Sequence, residues 1–402
     1  MALIIEKSVL SRGLRLKLAL TTIITSASTN ILWIYLILYA KSIGASEVET
    51  SAITSASSLL LMTSPFWGHL SDKYGYDRVA SLGQLLVLLS SLMVLLSPNI
   101  KVLMLSRAVT GLGLAMFIPS MLSLMSSSRS RRSLHVSIYS ASQSTGWAIG
   151  LVVGGFVAKE YSLIHSFYLS FVLASIAVLT FRFTIKRALS PAQRRQSLGT
   201  LHFPWSKSFV MLSIASFFRD GSIIGAYSFL PVFLRELGAS EDQVGLILAV
   251  NTIPQILLML LVGKLSEFIN EEAIFLAGIT GTSIVVFSYS IANSVIDVIP
   301  IQLLLALSFS SFYVSSRSIA GKLAPKNIGA ALGTLTLCRN AGGTLMPLLA
   351  GIVWNLYGAR VAFRFLSLIC VIGLLVAILF VTFMRSHALS NRFDYNQEVM
   401  NS

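Results

Sequence analysis

Charged side chains are scarce in this sequence. Aspartate, glutamate, lysine and arginine make up 11% of its 402 residues, whereas 55% of the residues are hydrophobic. Apolar runs of about 20 residues recur along the whole chain, and each is long enough to cross a hydrocarbon core of about 30 Å. An ordinary soluble domain does not need such a composition. The sequence therefore predicts an all-α membrane protein with many spanning helices.

Cysteine and histidine are also rare. Cys338 and Cys370 are the two cysteines, and both fall inside predicted spans, so we expect no disulfide framework. The five histidines lie far apart in the sequence. No cluster of histidine and acidic residues offers the ligands of a metal site or the groups of a membrane-embedded enzyme. We therefore predict no cofactor, no metal and no enzymatic activity.

Acidic residues are outnumbered by basic ones, 16 against 30, which gives a formal net charge of +14. The basic residues are spread between the apolar runs and form no single polar domain, so they argue against a nucleic-acid partner. Most basic residues lie in the connections on the side of the membrane that holds both termini, and six lie in connections on the opposite side. The positive-inside rule therefore predicts a multi-pass plasma-membrane protein with both termini cytoplasmic.

Hydropathy predicts twelve helices in two groups of six. The predicted spans are residues 17–40, 49–70, 79–97, 101–126, 134–158, 162–184, 208–234, 242–264, 273–292, 296–320, 328–352 and 361–384. A long polar segment separates the two groups. The predicted domains are an N-terminal six-helix bundle at 1–185, a central cytoplasmic loop at 186–207, a C-terminal six-helix bundle at 208–385 and a cytoplasmic tail at 386–402.

The two halves repeat each other at nearly one offset. The segment "LYAKSIGAS" ends predicted helix 1 and "VFLRELGAS" ends predicted helix 7, at an offset of 194 residues. "GHLSD" in helix 2 corresponds to "GKLSE" in helix 8, and "STGWAIGLVVGG" in helix 5 corresponds to "NAGGTLMPLLAG" in helix 11. Parallel repeats related by an axis along the membrane normal are typical of transporters.

Three short motifs resemble those of a known family. The connection after helix 2 carries a loop pattern made by Gly68, Asp72, Lys73, Gly75 and Arg78. Helix 4 contains "RAVTGLG", and helix 5 carries a glycine series at Gly146, Gly150, Gly154 and Gly155. With these motifs, twelve helices and a basic central loop, the sequence resembles the major facilitator superfamily over essentially its whole length. It departs from the family pattern at Tyr76, Asp77 and Leu151.

The resemblance implies two pseudo-symmetric six-helix bundles that transport by alternating access. It also implies a conformational gate, in which Asp72 and Arg78 make ionic contacts between the inner ends of the halves and latch the outward-facing state. Asp77, where the family has a basic residue, is expected to weaken that latch. The predicted gate residues are Gly68, Asp72, Lys73, Gly75, Arg78, Gly263 and Glu267. Helix 5 is expected to pack near the interface between the halves, and its glycines are expected to allow close helix approach and to permit rocking.

Four charged residues fall inside predicted spans, where each costs about 2.5 to 3.5 kcal/mol on the insertion scale. They are Arg107, Arg219, Asp220 and Arg339. Two interpretations stay open: a buried ion network, and a water-filled cavity that binds substrate or couples protons. Arg339 is a candidate partner for Asp220. Because helical neighbours point about 100° apart, Arg219 and Asp220 are each expected to need a partner of their own. Asp220 is the leading proton carrier if protons drive transport, and the excess of arginine would suit an anionic substrate.

A polar stripe marks one face of predicted helix 1, where Asn30 and Trp33 follow four hydroxyl side chains at helical spacing. Gln143, Tyr227 and Asn251 extend this candidate cavity face on other helices. Hydrogen bonding between helices is the alternative explanation of such polar residues.

We therefore predict a secondary active transporter that moves a small organic solute by alternating access, with proton coupling as one option. Export of amphipathic compounds and transport of an organic metabolite or anion both stay open. The alternatives are a membrane-embedded enzyme and a non-transporting membrane sensor, which would normally add a soluble domain larger than the central loop. The predicted partners are a small-molecule substrate, protons and the lipid bilayer, with the chain acting as a monomer.

Overall fold

A computed structural model describes residues 12–96, 99–125, 132–186, 206–324 and 328–401. Within these residues the chain forms helices and no strand. The helices are α1 Arg12–Ser42, α2 Glu47–Leu61, α3 Ser64–Tyr74, α4 Tyr76–Leu96, α5 Ile100–Met125, α6 Arg132–Glu160, α7 Leu163–Lys186, α8 Lys207–Glu236, α9 Glu241–Leu265, α10 Glu271–Tyr289, α11 Val298–Leu323, α12 Ile328–Tyr357 and α13 Ala359–Asn401. Most of the predicted central loop, residues 187–205, lies outside the described part of the chain.

The second predicted span is broken into α2 and α3. Pro65 lies in the first turn of α3. Proline has no backbone N–H and its ring crowds the preceding turn, so the helix is interrupted at this point. The hydroxyl groups of Thr63 and Ser64 donate to the carbonyl oxygens of Leu60 and Leu61, at 2.6 and 2.5 Å, at the break. The two short helices together make one span, so the twelve-span architecture is confirmed.

The last helix is longer than predicted. α13 runs to Asn401, whereas the sequence predicted an end at residue 384 and a tail beyond it. Neither glycine nor proline occurs after Gly373, so the sequence offers no strong helix breaker there. Nine helices among the described residues are long and apolar enough to cross a membrane, and the spanning part of α13 is the most hydrophobic. The chain is a multi-pass membrane protein.

The helices form two halves that meet mainly through two helix pairs, α2 with α12 and α6 with α9, with smaller contacts that include α1 with α8. The predicted glycine series serves two different contacts. Gly146, Gly150 and Gly154 face α1 in their own half, and a Cβ added at Gly150 would lie 2.6 Å from the carbonyl oxygen of Ala27. Gly155 faces α9 instead, where an added Cβ would lie 2.8 Å from the Glu241 carbonyl oxygen. The predicted close packing of α6 is therefore observed at both contacts: Gly146, Gly150 and Gly154 let α6 approach α1, and Gly155 lies where α6 meets α9 between the halves. The role of the series in rocking stays a prediction.

The two halves are joined at one end and have separate cores at the other. We use two names for the ends of the molecule. The closed end is the one at which α1, α6, α8 and α12 terminate. The tail end is the one at which α1 begins. At the closed end one apolar core runs through both halves, from Tyr35 to Phe229 and Trp354. At the tail end one core forms around Phe117 and another around Phe312.

Candidate functional site

The first candidate site is an arginine cluster in the C-terminal half, built around Asp220 on α8. Arg339 of α12 donates from its Nε to Asp220 Oδ2, which confirms the predicted pair. Arg219 donates from Nη1 to the other carboxylate oxygen, at 2.7 Å. The Asp220 side chain is 4% exposed and that of Arg339 is 14% exposed. One buried carboxylate is thus shared by two guanidinium groups.

The pairing of Arg219 with its own neighbour contradicts the expectation that adjacent charges need separate partners. The side chain of Arg219 is fully buried, and its long stem brings the guanidinium group back to Asp220. Its Nε donates to the Thr282 hydroxyl at 3.0 Å, and the guanidinium carbon lies 4.3 Å from the centre of the Phe312 ring. Helical spacing sets the direction of the Cα–Cβ bond, but an arginine has enough rotatable bonds to overcome it.

Arg317 on α11 is a member of the cluster that the sequence analysis missed. Arg317 lies close to the predicted end of its helix, where a basic residue is expected as a topology signal. Its guanidinium carbon lies 3.6 Å from the centre of the Tyr313 ring, and that of Arg339 lies 5.4 Å from the same ring. Tyr and Arg one helical turn apart are the signal that sequence reasoning had available.

The second candidate site is an aromatic–amide cluster that joins the two halves. Trp33 of α1 lies with its ring centre 6.4 Å from that of Trp147 on α6 and 6.4 Å from that of Tyr227 on α8. The Tyr227 hydroxyl donates to Gln302 Oε1 at 2.8 Å and accepts from Asn251 Nδ2 at 2.7 Å. The structure therefore brings together the predicted residues Trp33, Tyr227 and Asn251 with Trp147 and Gln302, which also lie on polar or aromatic stripes of their helices.

Two buried donors of this cluster lack acceptors. Within the described residues, Trp33 Nε1 and Gln302 Nε2 are enclosed and have no hydrogen-bond partner. A buried donor without a partner costs about 1 to 3 kcal/mol, so a bound molecule with an acceptor would gain from meeting them. Asn30 lies one turn from Trp33 on α1 and is buried, and its Oδ1 also has no partner in the described part of the chain.

Two further predicted residues lie apart from these contacts. Gln143 is half-buried on α6, one turn from Trp147. Arg107 is buried about two turns into α5, in the other half from the arginine cluster. Its Nε has no hydrogen-bond partner among the described residues, and no ion pair found there joins it to Asp220.

The predicted gate residues lie where α3 meets α4. Gly75 ends α3 with a φ of 103°, a backbone conformation that favours glycine, so the chain can turn sharply into α4. Lys73 lies over the Tyr74 ring at 5.3 Å, and Arg78 is exposed. The side chain of Asp72 lies outside the described part of the structure, so its ionic latch stays a prediction.

The remaining gate residues have few close neighbours. A Cβ added at Gly68 would lie 3.5 Å from Pro119 Cβ, which is ordinary contact. One added at Gly263, near the end of α9, would meet nothing within 4 Å, and Glu267 beyond it is exposed. The proposed gating role of the second-half repeat "GKLSE" therefore stays a prediction too.

Comparison with known proteins agrees with this architecture. The sequence model of the Major Facilitator Superfamily matches residues 18–233 and, a second time, residues 212–397. Multidrug resistance protein 2 of Bacillus subtilis strain 168 is 24% identical over 335 residues, covering 78% of this chain and 81% of the relative. Multidrug resistance protein MdtG of Escherichia coli strain SMS-3-5 / SECEC is 23% identical, covering 85% of this chain and 87% of the relative.

Solved structures share the fold at low sequence identity. A mutant of the nucleoside transporter NupG superposes with a TM-score of 0.77 at 14% identity, covering 92% of this chain and 99% of that protein. A mutant of the peptide transporter POT, in complex with sulfate, gives a TM-score of 0.77 at 15% identity, covering 93% and 94%. The family match spans both halves, and its members are transporters and not enzymes. The chain therefore belongs to the Major Facilitator Superfamily.

Proposed function

We propose that this chain is a plasma-membrane secondary transporter that exports amphipathic aromatic compounds by alternating access. The observation that carries the proposal is the aromatic–amide cluster, in which Trp33, Trp147 and Tyr227 meet where the two halves join. Its relatives among the multidrug resistance proteins support the same class of substrate.

The two ends of the molecule support alternating access. The closed end shares one core between the halves, and Lys159 Nζ on α6 bonds Asp242 Oδ2 on α9 across it at 3.0 Å. The tail end has two separate cores. If both termini are cytoplasmic, as the distribution of lysine and arginine predicts, this arrangement faces inward and is ready to load a compound from the cytoplasm.

The aromatic–amide cluster suits a ligand with both a ring and a polar group. Aromatic pairs contribute about 0.5 to 1.5 kcal/mol beyond the area they bury, and a flat ligand can stack on Trp33 or Tyr227. The unpartnered donor Trp33 Nε1, on a half-buried side chain, then offers a hydrogen bond to an acceptor on the ligand. The cluster is thus partly apolar and partly polar, as an amphipathic substrate requires.

Coupling to protons through Asp220 is part of the proposal, with a condition set by geometry. A carboxylate that is paired with Arg219 and Arg339 loses its charge attraction to both when it takes a proton. Both α8 and α12 belong to the C-terminal half, so rocking of the halves does not by itself separate this pair. Asp220 therefore takes a proton only when something else engages Arg339.

Reconstituted vesicles loaded with a fluorescent aromatic amphiphile test the proposed export. We expect Trp33→Leu to lower the initial transport rate about tenfold at a subsaturating concentration, because two aromatic contacts are lost. Phe183→Leu is the matched control, since that ring is 69% exposed on α7 and belongs to neither candidate site. Wild-type transport by the Trp33 variant, at equal protein level and melting temperature, would contradict the proposal.

A further inference from the structure

We infer that the substrate carries an anionic group, and that Arg317 and Arg339 bind this group over the ring of Tyr313. The inference deepens the proposed function and rests on it. It assigns the aromatic–amide cluster to the ring system of the substrate, and the arginine cluster to a carboxylate or sulfonate on the same molecule.

The first argument is the charge balance of the arginine cluster. Arg219, Arg317 and Arg339 bring three positive charges, and Asp220 brings one negative charge. Asp220 is already shared by two of the arginines, and Arg317 has no ion pair with a carboxylate among the described residues. Unbalanced charge at membrane depth is costly, so the cluster is completed by an anion that the chain itself does not supply.

The second argument is which arginines a ligand can reach. Arg219 is fully buried and Asp220 nearly so, whereas the side chain of Arg339 is 14% exposed and Arg317 and Tyr313 are half-buried. The two accessible guanidinium groups lie 3.6 and 5.4 Å from the centre of one tyrosine ring. Two guanidinium groups beside one ring bring several N–H donors close together, and the planar fork of each matches a carboxylate or a sulfonate.

The third argument is position relative to the halves. Gly343 lies one turn from Arg339 on α12 and faces the N-terminal half, where an added Cβ would lie 3.4 Å from the Ser58 hydroxyl oxygen on α2. The arginine cluster therefore lies on the seam between the halves, toward the tail end. An anion bound here would meet residues of both halves. A transported substrate must contact both halves, whereas a structural counter-ion can lie within one half.

The fourth argument is the spacing between the two clusters. Asp220 and Tyr227 lie seven residues apart on α8, two turns on the same face, which is about 10 Å along the helix. An aromatic compound of two or three fused rings with an acidic side chain covers that distance. One such molecule can therefore stack at Trp33 and reach Arg339.

A matched pair of compounds tests the inference. Naphthylacetate is an aromatic anion, and naphthylmethylammonium is a cation with the same ring system. We expect reconstituted vesicles to transport the anion in preference to the cation. We expect Arg317→Gln to raise the half-saturating concentration of naphthylacetate about tenfold or more, because a charged hydrogen bond is lost. Arg317→Lys should keep part of the affinity, since it keeps the charge but not the planar group.

The controls separate this inference from the proposed function. Arg385→Gln removes an equal charge from an exposed position on α13 and should leave both compounds unaffected. Preference for the cation, or wild-type affinity of Arg317→Gln for the anion, overturns the inference and leaves export standing. If Arg317→Gln loses affinity equally for both compounds and its melting temperature falls in parallel, the inference is overturned, and the arginine cluster is a structural ion network. If wild-type protein moves neither naphthyl compound nor the fluorescent amphiphile, the proposed function fails and the inference fails with it.

Discussion

At the residue scale, the proposed proton carrier is Asp220. We expect Asp220→Asn to abolish accumulation driven by a pH gradient and to spare exchange of substrate across the membrane, because asparagine cannot carry a proton. Vesicles with and without an imposed gradient give the measurement. Gradient-driven accumulation at the wild-type level in this variant would exclude Asp220 as the proton carrier.

The same substitution leaves Arg219 and Arg339 without a counter-charge, which costs about 3 to 5 kcal/mol in buried ion pairs. Asp220→Asn combined with Arg339→Gln removes one of these charges and serves as the matched control for stability. Recovery of the melting temperature in the double variant assigns the loss of stability to the unpaired charge. Because Arg339 also binds substrate in our inference, proton carriage is assessed in Asp220→Asn alone, by comparing its gradient-driven accumulation with its exchange.

Individual residues also show how far the sequence could predict the site. Opposite charge inside two spans of one half predicted the pair of Asp220 with Arg339. Helical spacing predicted the polar stripe of helix 1 that includes Trp33, which the structure places beside Tyr227. Arg317 was missed because a charge near a predicted helix end is indistinguishable from a topology signal until the helix end itself is known. The bond from Arg219 to Asp220 depends on side-chain torsions, which spacing does not determine.

At the scale of elements, Gly155 controls how closely α6 approaches α9. An added Cβ would lie 2.8 Å from the Glu241 carbonyl oxygen and 3.1 Å from the Asp242 Cα. We expect Gly155→Val to push these helices apart at the closed end and to favour the alternative state. The measurement is the rate at which a membrane-impermeant maleimide labels Val244→Cys, a position that is fully buried in the closed end, in a background without Cys338 and Cys370.

The expected result is labelling several-fold faster than in the parent protein. Gly13→Val is the matched control, because an added Cβ there meets no atom within 4 Å and the residue lies at the start of α1, at the tail end. Equal labelling of the Gly155 variant and the parent would show that the α6–α9 contact does not hold the closed end shut.

Elements were predicted more reliably than their ends. Apolar length alone located every span, because few soluble or loop segments imitate it. The break between α2 and α3 was missed although Pro65 marks it, since Pro119, Pro231, Pro254 and Pro347 lie inside unbroken helices. Proline in a membrane helix therefore does not predict a break by itself, and the adjacent hydroxyl groups of Thr63 and Ser64 complete the signal.

At the scale of the whole molecule, the direction in which the closed end faces follows from topology. The lysines and arginines predict that both termini lie in the cytoplasm, so the closed end faces outward. We expect a fluorescent protein fused to the C-terminus to be bright, and alkaline phosphatase fused at the same position to be inactive in cells. The reverse pattern would place the separate cores outside, and the protein would then rest in an outward-facing state.

The joined core of the closed end also links conformation to temperature. The pair between Lys159 and Asp242 contributes only about 0 to 1 kcal/mol, because the lysine side chain is 46% exposed. Apolar contact from Tyr35 to Trp354 therefore accounts for most of the closure. Attraction of this kind weakens on cooling. Cold should thus move the resting population toward the state in which this end is open, and transport rates taken on ice describe a different mixture of conformations from those at growth temperature.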